Sequence, residues 1–411
     1  MENASNQLFI NSDQVGDKIS LLLPGFDGVE EETDIHYLES GIGEPLLLIH
    51  GIGQSLYTWR KVFSELSESY RVIALDLPGH GYSDRPESLN YSMDSMAEVI
   101  RLFLDAKGIT SAHMVGFSTG AMYMLRFLSL YEDRVANCIA IAPGGITKRM
   151  PKLIHNIKRR FTAVFARNLF TAGDVRKLLE DCVYDDSLVD DRMVRQYYSP
   201  LSDGLSREAL MYALRNFDMD TVAEGLIPCE HEVLVLWGKE DSWHHPSDSV
   251  YFQNILQNGR YYLFKRTGHL LQEEKPEKLL DVIFSYIPAL DSYENEDARM
   301  GAGYGMDLAE DYEGYQIPVE GAPVYADPTA YNSDYDFAPL EGFQEPHLPE
   351  EADFLGDGAY PEGDGPVQQE EPAPEDPEAA EPDLMEDFLD VALPGEEEEA
   401  VTDIKLFDEE E

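Results

Sequence analysis

Apolar residues in this chain fall into two alternating rhythms between roughly residue 35 and residue 142. Continuous apolar runs at Pro45 to Ile49, Arg71 to Leu75, Ala112 to Phe117 and Val135 to Ile141 have the length and composition of strands buried on both faces. Between them, apolar residues recur at helical spacing. Trp59, Val62, Phe63 and Leu66 form one such group, and Met96, Ile100, Leu102 and Phe103 form another within Met93 to Ala106, with Gly108 as its stop. A third helix is expected over Ala121 to Tyr131, and Ile35 to Glu39, following an acidic turn, reads as an edge strand. Strands alternating with helices predict an α/β fold: a mostly parallel sheet with helices on both faces.

The alternation breaks after Ala142-Pro143-Gly144-Gly145. From Lys148 to about Ile227 the pattern is helical, with Leu153, Ile157, Phe161, Val164 and Phe165 on one face and Met211, Leu214 and Phe217 later. A helical stretch inserted between two strands reads as a cap. The strand pattern resumes at Glu232 to Trp237 and Arg260 to Lys265, with a helix near Ser249 to Leu256 and a last one over Pro276 to Tyr286. The expected organisation is an N-terminal extension over 1–30, a core over 31–146 and 229–288, the cap over 147–228, and a tail over 289–411.

Charge changes the picture of the tail. The chain of 411 residues has a net charge of −50, and beyond residue 290 there are 39 Asp/Glu against only Arg299 and Lys405. Thirteen of the 24 prolines fall there too, so this acidic tail is expected to be disordered and unnecessary for catalysis. Six of its tyrosines (Tyr304, Tyr312, Tyr315, Tyr325, Tyr331 and Tyr335) recur among acidic residues, while the cap opens with Lys148, Arg149, Lys152, Lys158, Arg159, Arg160 and Arg167. A contact of the tail with the cap, or with a protein partner, is one reading; a solvated tail and a solvent-facing basic helix is the other. So strong a polyanion should repel nucleic acid. Cys138, Cys182 and Cys229 are too few and too widely spaced for a disulfide framework or a zinc site, and Cys138 reads as a buried free thiol. Met1 to Gln14 carries no basic leader or apolar segment, and no membrane span is evident, so a cytoplasmic protein without integral membrane association is expected.

Candidate chemistry concentrates at Gly116-Phe117-Ser118-Thr119-Gly120, where a strand pattern ends and a helical one begins. A serine between two glycines at such a junction has the pattern of a nucleophile elbow: the turn strains the serine backbone and lifts its hydroxyl above the sheet, and larger residues in place of Gly116 and Gly120 would clash. His50-Gly51-Ile52-Gly53 follows one strand and Gly79-His80-Gly81-Tyr82-Ser83-Asp84 follows the next. Trp237-Gly238 with Asp241, and Thr267-Gly268-His269, follow the last two.

With these motifs in this order, residues 30 to 288 resemble the α/β-hydrolase family with a helical cap, and Ser, Asp, His is the order that family uses. The chemistry of each residue is consistent with it. A serine hydroxyl needs a base to take its proton as it attacks, a role for His269, and Asp241 would hold the other ring nitrogen. Glu240 and Asp248 compete with Asp241, which alone fits the Trp-Gly-x-x-Asp spacing. His244 and His245 compete with His269 and are expected to be surface or cap-contact residues. His50 and His80 are expected to organise loops. Tyr197, Tyr198 and Trp243 either line a pocket or pack the cap. The resemblance further implies that the backbone N–H groups of Ile52 and Thr119 form the oxyanion hole. Relatives that open epoxides or cleave carbon–halogen bonds carry aspartate at the nucleophile position, and Ser118 argues against both. The expected activity is hydrolysis of a small or medium apolar carboxylic ester without cofactor or metal. Lactone, thioester or carbon–carbon bond hydrolysis, perhydrolase-like activity, and a non-catalytic binding role are alternatives.

Overall fold

A computed structural model describes residues 16–26, 28–144, 171–287 and 312–313, all within the unit Met1–Tyr335. The elements run β1 (Asp17–Pro24), β2 (Glu30–Ser40), β3 (Pro45–Ile49), α1 (Phe63–Leu66), β4 (Arg71–Leu75), α2 (Met93–Ala106), β5 (Ala112–Phe117), α3 (Thr119–Leu130) and β6 (Val135–Ile141). Among the described residues four helices follow: α4 (Ala172–Cys182), α5 (Asp191–Tyr198), α6 (Gly204–Arg215) and α7 (Met219–Leu226). The chain then continues through β7 (Glu232–Gly238), α8 (Ser249–Ile255), β8 (Asn258–Phe264), α9 (Leu271–Glu274), α10 (Pro276–Tyr286) and β9 (Tyr312–Glu313).

These strands form one sheet in the order β1-β2-β4-β3-β5-β6-β7-β8-β9. The pairs from β4 through β8 are parallel, and β1, β2 and β9 run antiparallel to their neighbours. The parallel strands are apolar because they are covered on both sides. Leu46, Leu47, Leu48 and Ile49 of β3 and the whole of β5 are buried, each Leu or Ile contributing about 1.5–3 kcal/mol of transfer free energy. Because all six parallel strands point the same way, the loops at their C-terminal ends gather on one edge, where sites form in folds of this kind.

Three features differ from the sequence expectation. First, the stretch 1–30 contains β1, in which Leu21 and Leu23 are buried while Leu22 is exposed. Its alternation is that of a sheet edge with one wet face. β2 is consequently not an edge strand but lies between β1 and β4. Second, the expected helix around Trp59 to Leu66 is a 3₁₀ turn, Leu56–Trp59, followed by the single turn α1. Third, Tyr312–Glu313, within the stretch expected to be a disordered tail, pairs with β8 through Leu263 opposite Glu313 and Phe264 opposite Tyr312. The remainder of that tail and the basic stretch Lys148 to Arg167 lie outside the described residues. No described helix is long and apolar enough to cross a membrane.

Three of the described helices between β6 and β7 start on side-chain caps. Thr171 and Asp174 form a reciprocal capping box on α4, Asp190 accepts the Met193 N–H on α5, and Asp203 accepts the Ser206 N–H on α6. Polar contacts tie these helices to the sheet-bearing part of the fold, two of them buried or partly buried through Arg85 and Tyr197. Arg85, after β4, donates to Ser206 (2.8 Å) and to the Gly81 carbonyl (2.8 Å). The Tyr197 hydroxyl of α5 reaches Thr58 (3.0 Å) and the buried Glu273 carboxylate (2.9 Å), which also pairs with the buried Arg60 guanidinium. Removing Glu273 leaves the Arg60 charge buried without its counter-ion. Glu273→Ala should therefore lower unfolding free energy by about 3–5 kcal/mol. Urea unfolding measures it, and a loss near zero would show that Arg60 finds another partner or water.

Candidate active site

Ser118 stands at the junction of β5 and α3 with φ 53° and ψ −123°, a conformation that L-residues rarely hold. The surroundings impose it. The Ser118 N–H donates to the Ile141 carbonyl (2.9 Å), and the turn on either side leaves no room for a side chain. A Cβ on Gly116 would lie 2.6 Å from the Ala121 Cα, and one on Gly120 would lie 2.1 Å from the His50 carbonyl oxygen. Helix α3 thus crosses directly over the end of β3.

The other two residues arrive on the loops after β7 and β8. His269 places Nε2 3.1 Å from the Ser118 hydroxyl and Nδ1 2.7 Å from Asp241 Oδ2. Oδ1 of Asp241 accepts the N–H groups of Trp243 (2.8 Å) and His244 (2.9 Å), so the carboxylate is held from both sides. With Nδ1–H donating to a carboxylate, Nε2 is left as an acceptor facing the serine O–H. All three residues are at most 4% exposed, so water competes little for these bonds. Gly238 lets the two loops meet, since a Cβ there would be 1.9 Å from the Gly268 carbonyl oxygen. Of the competing acids, Glu240 instead accepts the Thr267 N–H (3.0 Å).

The loop after β3 lies alongside. A Cβ on Gly51 would be 3.1 Å from the Ser118 Cβ, so the Gly51-Ile52-Gly53 backbone passes the serine. Thr119 is the first residue of α3, whose first-turn N–H groups have no intrahelical acceptor and carry the positive end of the helix dipole. Apolar residues from the helices between β6 and β7 lie over this loop: Leu210 and Leu201 are 3.7 Å and 3.9 Å from where a Gly53 Cβ would be.

His50 and His80 hold backbone. His50 is buried, its Nδ1 2.7 Å from the Gly51 carbonyl and its Nε2 accepting the Leu77 N–H; His80 reaches the Pro78 carbonyl. Burial pushes the His80 ring down to about 3, so it is neutral. His244 corrects the expectation of a surface or cap-contact residue. It is 1% exposed, with its ring 4.9 Å from that of His269 and Gly144 packed on it. Burial, with the His269 ring beside it, pushes His244 down to about 3. A neutral imidazole therefore walls the candidate base. Trp243 is nearly parallel to the His269 ring at 6.1 Å, and Phe117 completes the surround at 4.8 Å. The signal for Trp243 and His244 was the aspartate itself: an Asx-type turn brings residues two and three positions on back over the carboxylate.

A strained serine, a bridging histidine and a doubly anchored aspartate thus meet at the C-terminal edge of a mostly parallel sheet, the three residues that the sequence reading singled out. A model of the alpha/beta hydrolase fold matches residues 44–276, and the chain belongs to that family. It is a hydrolase by fold and by its relatives. It is 28% identical over 262 residues to the uncharacterised hydrolase YugF of Bacillus subtilis, the match spanning 64% of this chain and 95% of that protein. It is 29% identical over 269 residues to the 2-hydroxymuconate semialdehyde hydrolase of Pseudomonas sp. strain CF600, across 63% of this chain and 92% of the relative. Among solved structures, a mutant of the meta-cleavage product hydrolase CumD from Pseudomonas fluorescens IP01 is similar with a TM-score of 0.54 and 27% identity. That match covers 65% of this chain and 96% of CumD.

Proposed function

We propose that the protein is a serine hydrolase that cleaves an apolar carboxylic ester through an acyl-enzyme on Ser118. The observation that carries this is the single imidazole of His269 joining Asp241 to the hydroxyl of a serine held at φ 53°. In this reading the Ser118 oxygen attacks the ester carbonyl while His269 Nε2 takes its proton. Asp241 stabilises the imidazolium, and the tetrahedral oxyanion is met by the N–H groups of Ile52 and Thr119. His269 then protonates the departing alcohol. A water, deprotonated by the same nitrogen, releases the acid. Leu201 and Leu210 over the oxyanion loop favour an uncharged acyl group there.

A second reading is hydrolytic cleavage of a carbon–carbon bond beside a ketone, favoured by the names of the relatives, 2-hydroxymuconate semialdehyde hydrolase and meta-cleavage product hydrolase. The two differ in their demand on the pocket, because a muconate-type substrate brings a carboxylate that needs a cation or donors. Purified enzyme assayed in parallel on p-nitrophenyl esters of rising acyl length and on 2-hydroxymuconate semialdehyde decides between them. The expected outcome is ester turnover with kcat/KM at least about tenfold above that for the semialdehyde, a difference of about 1.4 kcal/mol in transition-state binding. The reverse ratio would establish the second reading.

A further inference from the structure

Helix α9 begins two residues after His269, and its last residue, Glu274, reaches back across the histidine loop. Its Oε1 accepts the Gly268 N–H (2.8 Å) and its Oε2 the Tyr184 N–H (2.7 Å). Gly268 immediately precedes His269, and Tyr184 belongs to the cap segment that leaves α4. The same segment meets the histidine from the other side, because the Cys182 carbonyl takes the N–H groups of His269 (2.6 Å) and Leu270 (3.3 Å). Packing here is tight: a Cβ on Gly268 would be 2.6 Å from the Cys182 carbonyl oxygen. The turn bearing Asp241 joins as well, with the Ser242 hydroxyl donating to the Asp181 carbonyl (2.7 Å). The end of a cap helix, the histidine loop and the aspartate turn therefore converge, and one carboxylate spans the junction.

We propose that Glu274 is a positioning residue that clasps the end of cap helix α4 to the loop carrying His269, and that the clasp loosens when its carboxyl takes up a proton. This rests on the reading of His269 as the base. An ionised carboxylate has acceptor capacity on both oxygens and can hold both N–H groups. A carboxylic acid turns one oxygen into a donor facing an N–H, and one bond is lost. The groups facing Glu274 are Asp241 on the aspartate turn, the Cys182 thiol on the cap and Lys275 on its own side. Burial raises the Glu274 carboxyl to about 7, with Asp241 adding to the rise; the two N–H groups and Lys275 act in the opposite direction. The folded protein thus holds a proton on Glu274 from the ordinary value of 4.5 up to about 7, and the clasp is complete above that range. Global stability moves the opposite way, whereas within the folded protein the carboxyl stays buried in the loosened state and losing the two N–H bonds raises it further, so the proton favours loosening. The native state binds the extra proton, so the contribution of Glu274 to stability falls as pH rises from 4.5 to about 7 and is level beyond. The charged clasp is held at a cost in stability, as expected of a group that serves the site.

Amide exchange of the full chain, corrected for the intrinsic pH dependence, tests this without reference to activity. Gly268 and Tyr184 should be at least about tenfold more protected at about pH 8 than at about pH 6, in line with the strength of a hydrogen bond to a charged group. In Glu274→Gln, whose amide has one acceptor oxygen like the acid, protection should be the same at both pH values and match the lower wild-type level. Equal wild-type protection at the two pH values overturns the proposal, and this comparison stands even if Glu274→Gln does not fold. A parallel measurement follows fluorophosphonate labelling of Ser118 against pH. The wild-type acid limb should show two protonations and Glu274→Gln one. Labelling that proceeds while protection stays flat rejects the clasp alone, whereas switching protection without labelling rejects the serine reading and leaves the clasp standing.

Discussion

Ser118→Ala and His269→Ala should each abolish turnover of a p-nitrophenyl ester, with losses on the order of 10⁶ in kcat that do not multiply in the double variant. The reason is geometric. Among the described residues the base in reach of the Ser118 hydroxyl is His269 Nε2 at 3.1 Å, and that nitrogen is an acceptor because Nδ1 donates to Asp241 at 2.7 Å. Nucleophile and base are one unit, and either loss removes the same step. Asp241→Asn retains the shape but offers an amide where the Nδ1–H needs an acceptor, and it should cost on the order of 10⁴ by the precedent of serine proteases. Steady-state kinetics at fixed pH checks the series. Ser118→Ala with wild-type kcat would remove the serine from the mechanism, and an additive double variant would mean the two residues act separately.

The second large effect is expected at a residue with no side chain. Gly120→Ala places a Cβ 2.1 Å from the His50 carbonyl oxygen and 2.8 Å from the carbonyl carbon, both backbone atoms that cannot rotate away. Relief requires α3 to move off the end of β3. That motion shifts Ser118, at the start of the helix, relative to the Gly51-Ile52-Gly53 loop on the strand. The proposed oxyanion donors Ile52 and Thr119 sit on opposite sides of that joint. Misplacing one such donor costs about 10²–10³ in kcat, and the overpacking itself destabilises by about 1–3 kcal/mol. The paired measurement is kcat alongside the thermal midpoint. A variant that loses stability but retains kcat would mean that the joint does not set the oxyanion geometry.

The buried parallel strands were legible in the sequence because burial on both faces leaves continuous apolar runs. Pro45–Ile49, Arg71–Leu75 and Ala112–Phe117 coincide with β3, β4 and β5. Ser118, Asp241 and His269 could be picked out because each follows such a run at a spacing that backbone geometry constrains, and the structure brings the three together. Asp17–Pro24 was missed for the complementary reason. An edge strand with one wet face shows only alternating burial, and Leu21, Leu22 and Leu23 among polar residues mask even that. Missing β1 then made β2 look like the edge. The residues Trp59, Val62, Phe63 and Leu66 have helical spacing, yet they are buried in a 3₁₀ turn, a single α-turn and, for Val62, the junction between them, because tertiary burial fits short turns as well as a helix. His244 was misplaced because its burial depends on a turn around Asp241 and on Gly144, which is distant in sequence. Backbone contacts such as Cys182 with His269 carry no side-chain signature at all. The pairing of Tyr312–Glu313 with β8 lies in a segment whose composition pointed away from any regular element.

If Ser118 is the nucleophile, a covalent inhibitor should attach at its oxygen, and the site of attachment can be read directly. The full chain is incubated with a fluorophosphonate, digested, and its adduct located by tandem mass spectrometry. The expected result is one stoichiometric adduct on the Ser118 oxygen, formed slowly in His269→Ala and absent in Ser118→Ala. An adduct on another residue, or labelling that persists in Ser118→Ala, would contradict it.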